Sequence, residues 1–148
     1  MKLSLTSWSM PSCTLDEVAG ISKVLGIGAI DVGLFYNAAL DRNEILTDPK
    51  AAAQMVTALG LVVPNYYHLF GDGLAGRNLA LADALDENCR DLEQVLAFCE
   101  AAQIATVFVL PGIVNPGQSR EQALAQSARS LNALIAVASH SSVTLTIE

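Results

Sequence analysis

The stretch Val143-Thr144-Leu145-Thr146-Ile147-Glu148 decides the fold. Its β-branched residues, and the alternation of apolar residues with threonines, predict a strand. A long amphipathic helix precedes it, so it ends a series in which strands and helices alternate. In such a series, a carboxylate at the C-terminal tip of a strand lies where α/β folds bind their ligands. Glu148 is therefore the first candidate site residue, and a site centred on it is one-sided in this chain.

Four further strands are predicted before this one, and each is followed by a helical segment. They span Lys2–Ser7, Ala29–Phe35, Leu61–Tyr67 and Thr106–Leu110. Three helix starts are marked by their residues. Thr14–Glu17 and Ser119–Gln122 have the pattern of capping boxes, and Asp48–Pro49 pairs an N-cap residue with proline at the first helical position. The segment Gly71–Asn78 is predicted to be a flexible loop.

Apolar residues recur at helical spacing in each helical segment and predict the faces that are buried. These are Val18, Ile21, Val24 and Leu25; Ala52, Met55, Val56 and Leu59; Leu85, Cys89, Leu92, Leu96 and Cys99; and Leu124, Ala128, Leu131, Ile135 and Ala138.

The composition indicates one α/β domain over residues 1–148, with 52% hydrophobic residues and a mean hydropathy of +0.41. A parallel sheet covered by helices needs such a composition, and so does a chain that keeps an apolar association surface. The net charge of −7 argues against nucleic acid and anionic membranes as partners, since both bind clustered Lys and Arg. The three cysteines form no C-x-x-C motif, so a cytoplasmic location is expected.

Two architectures have this order of elements. A (β/α)8 TIM barrel interrupted after five strands and four helices would end on a strand, as this chain does. A flavodoxin-like doubly wound parallel sheet suits the length but usually ends on a helix. We expect the interrupted barrel, with parallel strands in the order 1-2-3-4-5 and helices on one face. Its two open edges would require that the natural chain continue or that a partner cover them.

Four segments resemble the xylose isomerase-like barrel superfamily, which includes sugar phosphate isomerases and epimerases. Leu25–Val32 is similar to its turn into the second strand. Asp91–Ala102 and Val107–Gly112 are similar to its third helix and fourth strand, and Leu145–Glu148 matches its fifth strand. Together these segments extend the resemblance over the whole chain.

The resemblance implies an isomerase or epimerase, active when the barrel is complete, that moves a proton beside a carbonyl of a sugar or sugar phosphate. It implies a divalent metal ion (Mn, Mg, Zn or Co) with Glu148 as the first ligand and the others on later strands. His68 would be catalytic and contact the substrate, and Trp8 would form a wall of the sugar pocket. Asp31 resembles the acid of the superfamily's second strand.

Each of these residues also has an ordinary interpretation. Glu148 would be a solvated chain end, His68 a loop residue, Trp8 rim packing and Asp31 a structural hydrogen-bond acceptor. A non-catalytic α/β association domain is the alternative function. The superfamily's nuclease branch is disfavoured, because the net charge is negative and no His follows the fourth strand.

Two arrangements in space follow from the predicted barrel. Trp8, Phe35, His68, Pro111 and Glu148 should cluster at the end of the sheet where the strands terminate. The open barrel should expose apolar residues meant for its interior, on one face of Leu3–Leu5, Val107–Val109 and Val143–Ile147. The isolated chain should therefore dimerise through its open edges, aggregate, or need further strands, so association with copies of itself is expected.

Overall fold

The structure, a computed structural model, describes residues 3–147, so Glu148 lies outside the described residues. The five strands are β1 (Leu5–Thr6), β2 (Ile30–Gly33), β3 (Asn65–His68), β4 (Thr106–Val109) and β5 (Thr144–Ile147). The helices are α1 (Leu15–Val24), α2 (Arg42–Thr47), α3 (Pro49–Ala58), α4 (Leu85–Ala101) and α5 (Arg120–Ala138). Short 3-10 turns follow the first two strands, at Ser7–Ser9 and Tyr36–Ala38.

The strands form one sheet in the order β1-β2-β3-β4-β5, and every neighbouring pair is parallel. This order confirms the predicted barrel arrangement. A doubly wound sheet would instead place β1 between two other strands. Among the described residues, β1 and β5 each pair with a strand on one side, so the sheet has two open edges.

The predicted helix starts are confirmed at atomic level. Both capping boxes form, with the Thr14 side chain accepting from the Glu17 backbone and the Ser119 side chain accepting from Gln122. The Asp48 carboxylate accepts from the backbone N–H of Ala51, so the N-cap of α3 also forms. The sequence analysis missed α2, which begins after Asp41 because that carboxylate accepts from the backbone N–H groups of Asn43 and Glu44.

The two faces of the sheet differ in chemistry. Side chains alternate along a strand, and the alternate set that joins the core beneath the helices consists of Ile30, Val32, Tyr66, Val107 and Val109. The opposite face, here called the open face, carries Thr6, Asp31, Asn65, Tyr67, Thr106, Phe108, Thr144 and Thr146. The prediction of an exposed apolar barrel interior was therefore wrong for Val107, Val109 and Val143, which are buried in the core, whereas Leu3 is 60% and Ile147 51% exposed. Val107 and Val109 are fully buried under the helices, and β5 presents threonines to the open face.

Three predicted helix faces also need correction. Val24, Leu25 and Met55 are exposed rather than buried. On α5 the buried residues are Ala123, Ser127, Ser130 and Leu134, whereas the predicted stripe leaves Leu124 70% and Ile135 55% exposed. Small residues allow α5 to approach the rest of the molecule closely, and this packing outweighs the preference for burying the largest side chains.

The segment predicted to be a flexible loop, Gly71–Asn78, makes many contacts. Arg42 on α2 donates to the Gly71 carbonyl and pairs with Asp72. Arg77 pairs with two carboxylates of α4, those of Glu87 and Asp91. These ion pairs tie the segment to the two helices beside it. Within residues 3–147 no helix has the length and apolar character needed to cross a membrane.

Candidate functional site

Four aromatic rings form a continuous wall on the open face, toward the end where the strands terminate. Trp8 lies in the turn directly after β1, and its ring centroid is 6.1 Å from that of Phe35 and 5.7 Å from that of Tyr67. The Tyr67 centroid is 4.8 Å from that of Phe35 and 4.7 Å from that of Phe108. We call these four residues the aromatic wall. Trp8 and Phe35 were both predicted at this end of the sheet, and the structure brings them together.

Gly33 makes room for the wall. A Cβ atom at this position would lie 3.1 Å from Tyr67 Cβ and 3.3 Å from Trp8 Cζ3. Both distances are shorter than ordinary van der Waals contact. Because Gly33 has no side chain, the rings of Trp8 and Tyr67 can meet above β2.

A row of polar residues lies on the same face, one step closer to the strands' N-terminal ends. The strand register aligns Thr6 with Asp31 and Asn65 with Thr106, and Thr106 with Thr144. The Thr106 hydroxyl lies 3.0 Å from the Asn65 side-chain oxygen. Burial raises the pKa of the Asp31 carboxyl above its usual range, while a hydrogen bond with Ser4 opposes that shift. The open face thus combines aromatic surface with a carboxyl group and hydroxyls.

His68 ends β3, but its side chain lies on the other face of the sheet. It is fully buried, its Nδ1 is 3.3 Å from the Tyr66 hydroxyl, and its ring packs edge-on against Phe70 with centroids 4.8 Å apart. Tyr66 itself packs on Phe98 of α4, which places the pair under the helices. His68 therefore does not share a face with the aromatic wall. Its catalytic and substrate-binding role stays a prediction.

Burial also fixes the protonation state of His68. Desolvation, followed by the positive charges of Arg42 and Arg77, lowers its pKa to about 3. Among the described residues, Nε2 has no hydrogen-bond partner. His68 lines a cavity of about 20 Å³, which is the size of one water molecule. At neutral pH the imidazole is therefore uncharged and enclosed.

The described residues do not by themselves form a metal site. Within residues 3–147 no three His, Cys, Asp or Glu side chains come together in a group that could hold an ion. On the open face, Asp31 carries a carboxyl group that could be a metal ligand. Burial raises its pKa and so favours the protonated carboxyl, whereas a bound cation would favour the carboxylate. Glu148, the predicted ligand, lies outside the described residues, so its role stays a prediction.

The sequence analysis missed three residues of the wall region, namely Tyr67, Phe108 and Gly33. Their signal is the strand period of two, because each shares its face with the polar residue two positions earlier: Asn65, Thr106 and Asp31. A row of polar residues followed by a row of large rings and one glycine can be read from the aligned strands. The alignment itself requires the register, which only the structure supplies.

Comparison with solved structures places this architecture among known folds. A D-psicose 3-epimerase, crystallised in the presence of D-fructose, superposes with a TM-score of 0.67 at 15% sequence identity. A 3-keto-D-glucoside 4-epimerase from E. coli gives 0.67 at 12% identity, and a xylose isomerase domain protein from Planctomyces limnophilus gives 0.61 at 12% identity. The chain has the fold of half a xylose isomerase-like barrel. Neither a protein-family description nor a curated protein matches it by sequence.

The extent of this half-barrel is the same in each comparison. Each superposition covers 99% of this chain but only 52%, 55% and 52% of the D-psicose 3-epimerase, the 3-keto-D-glucoside 4-epimerase and the xylose isomerase domain protein, respectively. The chain therefore spans about half the length of the structures it matches. In those structures, further residues of the same chain accompany the half-barrel. Five strands out of the eight of a complete barrel are likewise more than half.

Proposed function

We propose that this half-barrel provides the sugar-binding side of an isomerase or epimerase that transfers a proton beside a carbonyl group. The observation that carries the proposal is the aromatic wall, which lies on the open face where the strands end. Barrel enzymes build their sites at this end of the strands. The sugar epimerases that share the fold support the choice of substrate class, a small sugar or sugar phosphate.

The proposed division of labour follows from chemistry. The half-buried rings of Trp8 and Phe108, both in contact with the buried ring of Tyr67, offer an apolar surface on which the C–H face of a sugar can pack. The polar row can hydrogen-bond the sugar hydroxyls. Asp31 is the proposed proton carrier. The carboxylate takes the proton from the carbon beside the carbonyl, and the resulting carboxylic acid delivers it to the neighbouring carbon of the enediolate, which isomerises the sugar. Epimerisation would need a second acid on the opposite face of the enediolate. A raised pKa suits this task, because it makes the carboxylate a better base.

We also propose roles for His68 and Glu148. Glu148 would provide one oxygen ligand to a divalent metal ion, and that ion would polarise the sugar carbonyl. The other ligands would come from residues outside those the structure describes. His68 would act from beneath the sheet by holding Tyr66 and the end of β3 in place. The resemblance implies a second possible role, in which His68 contacts the sugar directly.

Sugar binding can be measured with the protein's own fluorescence. Trp8 is the sole tryptophan of the sequence, so a titration of the 148-residue chain with D-fructose should change its emission saturably. Phe35→Leu should weaken the response, because it removes one ring of the wall. Val62→Thr is the matched control, since Val62 is exposed near the start of β3, at the end of the sheet opposite the aromatic wall. A wild-type chain whose emission does not respond to D-fructose would contradict the proposal.

Proton transfer needs a separate measurement. NMR of D-fructose incubated with the chain in D2O, with and without Mn²⁺ or Mg²⁺, reports exchange of the hydrogens beside the carbonyl. Under the proposal these hydrogens exchange for deuterium, and Asp31→Asn slows the exchange at least about a hundredfold. Sugar binding without any hydrogen exchange under either condition would contradict the proposed proton transfer and leave only the proposed sugar binding.

The exposed apolar stripe on α5 favours a second candidate, an association domain without catalysis. Leu124 and Ile135 are exposed there, with Ala128 exposed and Leu131 half-buried between them. By contrast, the large apolar residues of α4 are buried, including Leu92, Leu96 and Phe98. Strong self-association in the absence of sugar binding and hydrogen exchange would support this candidate.

A further inference from the structure

Tyr36 has an unusual backbone for a large aromatic residue. Its φ is 58°, in the left-handed region, which side chains other than glycine, asparagine and aspartate rarely occupy. Within residues 3–147 one other non-glycine residue, Gln103, has a positive φ. Gln103 follows the last turn of α4, where a left-handed residue commonly ends a helix. No α-helix ends at Tyr36, so its conformation needs another explanation.

The neighbouring residues hold this turn from both sides. The side chain of Asn37 donates to the Ser12 carbonyl at 3.2 Å, which ties the turn to the loop after β1. The backbone N–H of Leu40 donates to the Gly33 carbonyl at 3.0 Å, which ties it to the end of β2. Ala38, inside the turn, is fully buried. Such surroundings can maintain a strained residue, and strained residues concentrate at functional sites.

Folding does not account for the choice of tyrosine at this position. The side chain is 63% exposed, so its ring gains little from burial. Its ring lies beside that of Phe35, with centroids 6.2 Å apart. Glycine or asparagine would adopt this backbone with less strain. The ring is therefore retained in spite of the backbone, next to the wall on the side where the strands end.

We infer that Tyr36 is a substrate-contacting residue that extends the aromatic wall and packs against the ring of a bound ketose. Phe35 links Tyr36 to Tyr67 and Trp8, so a ligand on the wall comes within reach of the Tyr36 ring. The inference rests on the proposed sugar-binding function and adds a contact outside the strands. It implies that stability is sacrificed at this position for affinity.

The test compares four proteins, namely wild type and the variants Tyr36→Gly, Tyr36→Phe and Gln103→Gly. Each is titrated with D-fructose while Trp8 emission is followed, and each is melted by heat. Tyr36→Gly should weaken D-fructose binding at least about fivefold, the effect of losing one ring contact, while its Tm is equal to or above that of wild type. Tyr36→Phe should bind within about twofold of wild type, because the ring remains.

Gln103→Gly is the matched control. It replaces a residue of the same φ just before β4 begins, at the end of the sheet opposite the aromatic wall, so its Tm should not fall and its binding should not change. Wild-type binding that Tyr36→Gly retains would overturn the inference and leave the proposed function intact. Weaker binding by Gln103→Gly to the same degree would also overturn it. No binding by wild type would overturn the proposed function and the inference together.

Discussion

Burial of His68 makes the stability of the protein depend on pH in a definite direction. Its pKa is about 3 in the folded chain and about 6.5 when exposed. Between these values the unfolded chain binds a proton that the folded chain excludes. The contribution of uncharged His68 to the free energy of unfolding is therefore fully present above about pH 6.5 and is lost progressively as the pH falls toward 3.

We predict that His68→Gln flattens the pH dependence of the unfolding free energy between pH 6.5 and 3. The full pKa shift corresponds to about 5 kcal/mol of unfolding free energy, because each pKa unit is worth about 1.4 kcal/mol. Urea unfolding at several pH values measures it, and the difference from wild type removes the contribution of the carboxylates. His140→Gln is the control, because His140 is exposed. Equal slopes for wild type and His68→Gln would show that His68 is solvated in the folded protein.

Gly33 allows a second test at the scale of single residues. Gly33→Ala should destabilise the protein by about 1–3 kcal/mol, because the new Cβ would crowd Tyr67 and Trp8. Trp8 emission should shift as its ring is displaced. Gly28→Ala is the control, since a Cβ there meets no atom within 4 Å and the backbone does not have positive φ. Unchanged emission and stability in Gly33→Ala would mean that the wall packs less closely than described.

At the scale of elements, α5 has two faces of different character. The buried face is made largely of small residues, whereas the outward stripe contains Leu124 and Ile135. In a complete barrel each helix has a neighbour on both sides, and α5 in the described chain has α4 on one side. The stripe is therefore suited to contact another protein surface.

We predict that the 148-residue chain self-associates and that Leu124→Glu with Ile135→Glu reduces this association. Charged residues on the stripe would have to be desolvated on contact. Light scattering over a dilution series measures the effect, and Met55→Glu on α3 is the control because Met55 is exposed on another helix. A wild-type chain that is monomeric at every concentration would contradict the prediction. An equal effect of Met55→Glu would mean that net charge, rather than the stripe, controls association.

The elements also show what a sequence can and cannot specify. Alternation of strands and helices and the caps at Thr14, Asp48 and Ser119 follow local rules, and they were predictable. The face of β3 was not, because Asn65-Tyr66-Tyr67-His68 has no clear contrast between its alternate residues. His68 was expected at the substrate from the resemblance, and the alternation could not show that its side chain lies on the face opposite Tyr67. The buried face of α5 was mispredicted for a different reason, because the size of the side chains favoured Leu124 over Ala123.

At the scale of the whole molecule, the sheet has a protected centre and two open edges. Backbone amides of β3 pair between β2 and β4, whereas β1 and β5 have one neighbour each among the described residues. We predict that hydrogen exchange is slowest at Tyr66 and Val107 and fastest in the two edge strands. Mass spectrometry or NMR at a concentration where the chain is monomeric measures this. Edge strands as protected as β3 would mean that another part of the protein covers them.

The order of the strands has a consequence for how the chain is made. Paired residues are separated by 25 positions between Leu5 and Ile30 and by at most 41 between Asn65 and Thr106. Every strand pairs with the next strand along the chain, so each pairing spans one strand–helix unit, although such pairings are longer-range than those of a β-hairpin. During synthesis each new strand leaves the ribosome after its partner strand, so the sheet can grow by one unit at a time from the N-terminus.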